Sequence, residues 1–345
     1  MKTMTVPNFS TPTIGRKRYK QFRGVDYSTD ETQIDDGRSP RAVNVIADEG
    51  GAPERRWGWR TVLNLGGEKP VAGIFLYEAT TETGRTMIVH AGDTLFKVRL
   101  NTDTYQPIAG SQQTLMTGLK SGGRTQGFYL NGKLYLLTGA EYLVYDGTSV
   151  KRVADDTAYC PLTSYQRKPA GGGEPYEKVN MISKWRRNRF VADGSSTTFQ
   201  LDVAGIDADV TPTAQYHITG ESIAVKSFDA VKGTVTLSSA PRAPENAGTS
   251  NIEIKFAKTT ETRKKIFGCT IFAIYGLDGS GDRVFLSGND GFANMEWFSG
   301  LSDPTYFPDS NYSAVGSSDF PIMCYLKAQG ELLVIKKDNR QEGTI

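Results

Sequence analysis

Residues 126–153 read QGFYLNGKLYLLTGAEYLVYDGTSVKRV, and this stretch decides the fold. Gly127–Leu130 and Lys133–Leu137 are apolar runs that flank Asn131-Gly132. That pair is the strongest short-range hairpin signal, because a type I′ turn needs positive φ at both central positions. Glu141–Tyr145 and Thr148–Arg152 flank Asp146-Gly147, which predicts a second turn of the same kind. Four short strands in about 28 residues match one blade-sized antiparallel sheet.

The same rhythm extends in both directions. Upstream, Val71–Tyr77, Arg85–His90 and Thr94–Leu100 are strand-like and are separated by Glu78–Gly84 and Ala91-Gly92-Asp93. Downstream, Gly268–Gly276 and Arg283–Ser287 flank the glycine-rich Leu277–Asp282, and Glu296–Ser299 follows. Pro321–Leu326 and Glu331–Lys337 then begin a fourth unit around Ala328-Gln329-Gly330. Ile345 comes just where that unit should continue. The expectation is an N-terminal portion of a longer protein, or a last blade completed by a partner chain.

Between the second and third units the texture changes. Pro169–Pro175 is a Gly/Pro linker, and Lys178–Phe190 reads as a strand or a short helix. Thr198–Leu201, Gly233–Leu237 and Asn251–Phe256 alternate strongly, as the strands of a small antiparallel sandwich do. Insertion of such a module is tolerated where the host chain's ends lie close together. Before the first unit, Asn44–Asp48 and Arg56–Leu63 read as two strands joined by a glycine loop. Ser39-Pro40 has the form of a helix start. No segment holds helical apolar spacing over three turns, so little helix is expected. The expected class is all-β: a partial β-propeller with an inserted small β-sandwich domain and an extended N-terminal arm. Its divisions are the arm at 1–21, the first blades within 22–168, linker and sandwich at 169–258, and further, incomplete blades at 259–345.

Composition excludes several functions. Lys and Arg number 40 against 38 Asp and Glu, a balance unlike the strongly basic domain of a dedicated nucleic-acid binder. No run approaches the roughly 18 apolar residues of a membrane helix, so no membrane insertion is expected. The start has no apolar core of a secretory signal. Cys160, Cys269 and Cys324 form no C-x-x-C pair, and His90 and His217 sit in no ligand spacing, so neither a metal nor a cofactor is expected.

Candidate chemistry is thin. Asp30-Glu31, Asp35-Asp36, Asp155-Asp156 and Asp207/Asp209 lie in turn-like contexts and read as solvated carboxylates rather than as a glycosidase pair. Asp278-Gly279-Ser280-Gly281-Asp282 starts like a calcium loop. Arg283 then stands where glycine is required and Asn289 where a bidentate Glu belongs, so a hairpin turn is the better reading. No nucleophile elbow, phosphate loop or dinucleotide fingerprint occurs, and no enzyme is expected. Three runs interleave cations with aromatics: Arg16–Lys20, Arg55–Arg60 and Lys184–Arg189. Arg55, Arg56, Trp57 and Trp59 are candidate subunit-interface residues, since Arg and Trp are enriched at contact surfaces. On a strand, Trp57 and Trp59 would share one face. Tyr306 and Phe307, in an aromatic and proline-rich loop, join them. Lys184, Arg186, Arg187 and Arg189 are the candidate DNA-proximal or interface cations.

These residues carry a resemblance. Arg41-Ala42-Val43-Asn44-Val45-Ile46, Gly50-Gly51 and Glu54-Arg55-Arg56-Trp57-Gly58 look like the N-terminal region of propeller-type tail proteins of tailed bacteriophages and prophages. Trp57 stands where that family commonly has Pro. Asp282–Gly288, Asp303–Asp309 and Leu332–Lys337 resemble the same proteins. Asp193–Phe199 with Gly233–Val235 resembles a small β-module of phage structural proteins. The nearest likeness is to the tail nozzle (tail tubular B-type) proteins of short-tailed phages. That likeness implies a virion tail protein, assembled in the host cytoplasm as a homo-oligomeric ring around the DNA exit channel. Its implied partners are the portal/adaptor complex, other tail proteins and phage DNA held without sequence preference. The alternative is a tail-tip receptor- or glycan-binding protein that uses the inserted sandwich. A depolymerase comes third.

Overall fold

The computed structural model describes residues 14–16, 21–66, 69–78, 84–120, 122–276 and 281–337. Most of the expected N-terminal arm lies outside them, as do Lys17–Lys20 and Leu277–Ser280. The chain forms two compact units, residues 1–64 and 65–345. The described residues are nearly all β. Helix among them is confined to a π-helical turn at Val153–Thr157 and to α1 at Arg263–Phe267.

In the first unit, β1 (Val45–Ala47) pairs antiparallel with β2 (Pro53–Arg55). The second strand was expected at Arg56–Leu63 and does not form there. Asp48 accepts the Ala52 amide through its side chain at 2.7 Å, closing the turn early so that pairing begins at Pro53. Asn44, at φ 57°, ends the partner strand, and the chain after Arg56 runs on unpaired. The helix expected at Ser39-Pro40 is also absent. Ser39 instead bridges Val25, and its hydroxyl donates to the Arg41 carbonyl at 2.9 Å.

In the second unit, three four-stranded antiparallel meanders and a final two-stranded hairpin follow the expected rhythm. The first is β3 (Val71–Glu78), β4 (Arg85–Ala91), β5 (Thr94–Arg99) and β6 (Gln113–Met116). The second is β7 (Gln126–Leu130), β8 (Lys133–Leu137), β9 (Tyr142–Tyr145) and β10 (Val150–Arg152). Asn131 and Gly132 adopt φ 51° and 71°, as the hairpin signal requires. The turn at Asp146-Gly147 is built differently: only Gly147 has positive φ, and the Asp146 carboxylate accepts the amides of Thr148 and Ser149. Asp146 acts as a side-chain cap there, in an Asx turn.

A six-stranded and a three-stranded sheet come next. The larger has the order β12-β11-β13-β19-β15-β16: β11 (Leu162–Arg167), β12 (Glu174–Pro175), β13 (Trp185–Phe190), β15 (Thr213–Tyr216), β16 (Ser222–Ile223) and β19 (Ile252–Ala257). The smaller joins β14 (Thr198–Gln200), β18 (Thr234–Leu237) and β17 (Val225–Asp229). β11 precedes the expected boundary at 168/169 and pairs with β13 in parallel, a departure from purely antiparallel pairing. The two sheets share one apolar core of Phe190, Phe199, Val235, Ile252, Ile254 and Phe256. Lys178–Phe190, open between strand and helix in the sequence, supplies β13.

After α1 come β20 (Ile271–Tyr275), β21 (Arg283–Ser287), β22 (Met295–Phe298) and β23 (Tyr312–Ala314), then the hairpin β24 (Ile322–Ala328) and β25 (Glu331–Lys336). The first strands of the meanders neighbour one another in chain order. The Thr125 amide, just before β7, donates to Ala72 of β3 at 2.9 Å. β20 lies against both β7 and β24, with Phe272 against Phe128 at 5.3 Å between ring centroids. The second meander is buried on both faces. Leu134 and Leu136 face the first meander with Tyr77 and Ile88, while Tyr135 and Leu137 face the third with Val284 and Trp297.

Two turn glycines separate conformation from space. Both Gly132 and Gly233 have positive φ, at 71° and 69°. A Cβ on Gly132 would meet nothing, whereas one on Gly233 would lie 2.2 Å from the Val203 carbonyl oxygen. Gly132→Ala should therefore cost about 1 kcal/mol, and Gly233→Ala roughly 2–4 kcal/mol because backbone must also move. Urea unfolding midpoints of the two variants test this. Equal shifts would contradict it.

Candidate interaction surfaces

From Trp185 on, the basic run Lys184–Arg189 lies in β13, an interior strand of the six-stranded sheet, and strand alternation divides its arginines. Arg187 and Arg189 turn to one face. There Glu253 of β19, only 7% exposed, meets Arg189 at 2.8 Å and Arg187 at 3.5 Å. Arg187 also donates to the Cys160 carbonyl at 3.0 Å. Arg186 turns to the core face and is 8% exposed, with its Nε unpartnered. Burial lowers its pKa, and the nearby carboxylates of Asp202, Asp309 and Asp207 oppose that shift. Lys184 and Lys255 lie over the Trp185 ring at 5.4 and 4.5 Å. The run is thus a structural element of its own chain. Of the candidate DNA-proximal or interface cations, Arg187 and Arg189 are paired with Glu253 of β19 and Arg186 is buried by the sheet.

The aromatic loop is likewise folded inward. Phe307 is 0% exposed and packs edge-on against Tyr142, so its expected place in a subunit interface is corrected to the core. Tyr306 is half-buried against Tyr159 and donates its hydroxyl to the Lys178 carbonyl at 2.8 Å. Burial, with the carboxylate of Glu177 nearby, raises its pKa well above the usual phenol range. Asn180, which carries no distinctive sequence signal, holds this junction together. Its amide nitrogen donates to the carbonyls of Tyr159 and Thr305, both at 2.9 Å, and its oxygen accepts the Phe307 amide at 3.0 Å.

The remaining predicted interface residues are open. Arg55, Arg56, Trp57 and Trp59 are all exposed, the two indoles by 80% and 84%. Trp57 and Trp59 sit on unpaired chain, so the shared-face argument does not hold. Their exposure does. No described residue between 21 and 64 is buried, and Val43, Ile46 and Val62 are also bare. In the same unit a cleft of ≈ 450 Å³ is lined by Phe22, Ile34 and Pro53 and by Glu31, Asp35 and Asp36.

Two further apolar surfaces terminate the row of meanders. On β3, Phe75 and Tyr77 face the second meander, leaving Ile74 and Leu76 turned the other way and 61% and 41% exposed. On the final hairpin, the Tyr325 hydroxyl donates to Glu296 of the third meander at 3.0 Å. Leu326 and Leu333, paired on the opposite face, are 54% and 43% exposed. A smaller cleft of ≈ 240 Å³ lies at one end of the inserted sheets, lined by Tyr216, Ile218, Arg242, Asn246 and Thr249 among others.

The thiols and carboxylates offer little chemistry. Burial pushes the Cys160 thiol up to about 11 and Cys269 higher still, which keeps both protonated at neutral pH. Among the described residues no group of three His, Cys, Asp or Glu side chains is placed to hold a metal ion, and no helix is long and apolar enough to cross a membrane.

Glu253 is the charge on which the β13 face depends. Glu253→Gln leaves two partly buried guanidinium groups without their counter-ion, and should destabilise the chain by about 3 kcal/mol. Arg189→Gln, which leaves Arg187 to pair with the carboxylate, should cost less. Thermal unfolding midpoints decide it, and an Arg189→Gln loss equal to or larger than that of Glu253→Gln would refute this ranking.

No family model matches the chain, and no curated protein or solved structure matches it.

Proposed function

We propose that the chain is a structural protein of a bacteriophage or prophage tail, a nozzle or related component whose copies form a ring around the DNA exit channel. The three meanders and the final hairpin are, on this reading, blades and the start of a blade of a propeller interrupted after the second by a guest sandwich. One observation carries it: the first strands β3, β7, β20 and β24 neighbour in chain order, and both ends of the row present apolar sheet faces. Radial repetition of four-stranded sheets about a channel produces this order. Apolar end faces are what such a row exposes when another sheet is meant to cover them. A ring also needs rigid flanks and heterologous contacts rather than a catalytic centre. The virion location, the portal/adaptor and tail partners, and the non-specific hold on DNA follow from the sequence resemblance and belong to the same proposal. With the β13 arginines engaged inside the chain, none of them is assigned to DNA.

A second reading is favoured by the ≈ 240 Å³ cleft on the inserted sheets. A tyrosine, exposed Ile218, amides and hydroxyls suit a sugar ring, as a tail-tip adhesin requires. Glycan pull-down would favour this reading, and a ring with a DNA-wide channel favours the nozzle.

Sedimentation velocity of the full chain tests the first reading. The wild type should sediment as an oligomer. Leu326→Lys with Leu333→Lys should shift it toward monomer without moving the unfolding midpoint, since both side chains are already open. Particles imaged with this chain labelled should carry it in a ring about the tail axis. A label confined to fibre tips would reject the nozzle reading.

A further inference from the structure

The N-terminal unit has surfaces of opposite character and no interior. Its ribbon Arg55–Arg60 carries three arginines, Arg55, Arg56 and Arg60, none with an ion pair among the described residues, and two bare indoles. Its cleft has an apolar floor of Phe22, Ile34 and Pro53 and three carboxylates, Glu31, Asp35 and Asp36, against the one arginine Arg38. Charges of the cleft have neighbours in the unit: Arg38 meets the mostly covered Asp26 at 3.6 Å, Asp36 has a partner as well, and Asp35 meets Arg23 at 3.1 Å in an ion pair open to solvent on both sides. Such exposed pairs hold weakly and exchange readily. The cleft volume of ≈ 450 Å³ falls within the roughly 300–1,000 Å³ of sites that receive a group larger than one indole. The chain's own ribbon leaves it unfilled, with Trp57 and Trp59 exposed.

We propose that the Arg55–Arg60 ribbon of one copy of the chain docks in the acidic cleft of a second copy. The charges are complementary: a cationic, aromatic segment meets an apolar floor rimmed by carboxylates, which orients the encounter and excludes like-charged partners. The indoles supply the anchors, as Trp and Arg do at the centres of contact surfaces. Ribbon and cleft are different surfaces, so each copy donates one and receives one. The contact is heterologous and propagates to a ring when the rotation closes. The contact also gives the unit the burial its own residues lack. The inference rests on the reading that copies assemble into a ring, and names the contact that links them.

Complementation of two full-length variants tests it. The ribbon variant is Arg55→Glu with Arg56→Glu; the cleft variant is Glu31→Gln with Asp35→Asn, neutral so that it does not attract the reversed ribbon. Each alone should associate about thirtyfold more weakly than the wild type in sedimentation velocity, the loss expected from one hot spot. At a concentration where the wild type is dissociated, their thermal midpoints should match its own, since all four side chains are exposed. Mixed one to one, they should form a dimer and stop there, because the mixture holds one intact ribbon and one intact cleft per pair. Tryptophan emission should shift to the blue on mixing. A mixture that stays monomeric, or variants that assemble like the wild type, would overturn the proposal. If assembly is lost only in the Leu326→Lys, Leu333→Lys chain, the ring reading survives and the ribbon contact does not. A chain that remains monomeric in every form removes both.

Discussion

Everything in the larger unit depends on the second meander being covered on both faces. Along β8 the side chains alternate between two cores. Leu134 and Leu136 meet the first meander, and Tyr135 and Leu137 meet the third. Fully covering a Leu or Phe side chain is worth about 1.5–3 kcal/mol, and the sheet spends no face on solvent. Its neighbours are therefore held at fixed spacing on either side. The close approach of β3 to β7 follows. The two strands come near enough that a Cβ at Gly127 would fall 2.6 Å from the Phe75 ring, so glycine at that position lets the sheets meet. A sheet sandwiched in this way transmits position to the whole row.

The inserted sheets are tied to this row by the segment before β13, where Met181 and Ile182 enter the apolar core of the second and third meanders and polar groups fix the junction. Asn180 uses its amide nitrogen and oxygen to join Tyr159, Thr305 and Phe307, while within the inserted sheets Asn188 joins Thr163 to the Asp202 amide. Buried amides are costly when unpaired and directional when paired. They therefore fix the register of the junction more strictly than apolar contact would. Arg186 is the exception in this region. It is a deeply buried guanidinium with an orphaned Nε, and three aspartates in charge range stand in for a direct partner. Long-range charge keeps it tolerable without fixing its geometry.

How much of this was legible depends on whether the deciding contact was local. The Asn131-Gly132 turn and the apolar runs beside it sit within ten residues, and sequence reading placed them. At Asp146-Gly147 it found the hairpin and missed its construction, because an Asp side chain that bonds the next amides mimics the backbone turn. The surroundings of Arg187, Arg189 and Phe307 were not legible for one shared reason: their partners are remote in the chain. Glu253 lies some sixty residues from the arginines it neutralises, and Tyr142 more than a hundred and sixty from Phe307. Alternation in Ile252–Phe256 does put Glu253 on the face opposite the isoleucines. Only the pairing of β13 with β19 says which cations it meets. The strand assigned to Arg56–Leu63 failed because a single residue, Asn44, turns into the left-handed region and ends the ladder.

The distribution of exposed apolar side chains is itself an argument. Single exposed leucines are ordinary on any surface and call for no explanation. Here the exposure is concentrated: β3 and the β24–β25 hairpin at the ends of the meander row, and the segment around Trp57 and Trp59 in the N-terminal unit. The same chain buries Trp297, Phe307, Phe256 and Phe190 completely, so its sheets pack efficiently wherever a neighbour exists. On the proposed reading, the bare faces at the ends of such a row are where another surface takes the place of solvent. In the N-terminal unit the condition is sharper. With no described side chain between 21 and 64 buried, hydrogen bonds and turns alone hold the segment, and these give little net stability against water. A segment of that kind gains a defined structure when something covers it. On the proposed reading its role is inseparable from what it docks against, and the arginines and indoles it leaves in the open decide which surfaces suit it.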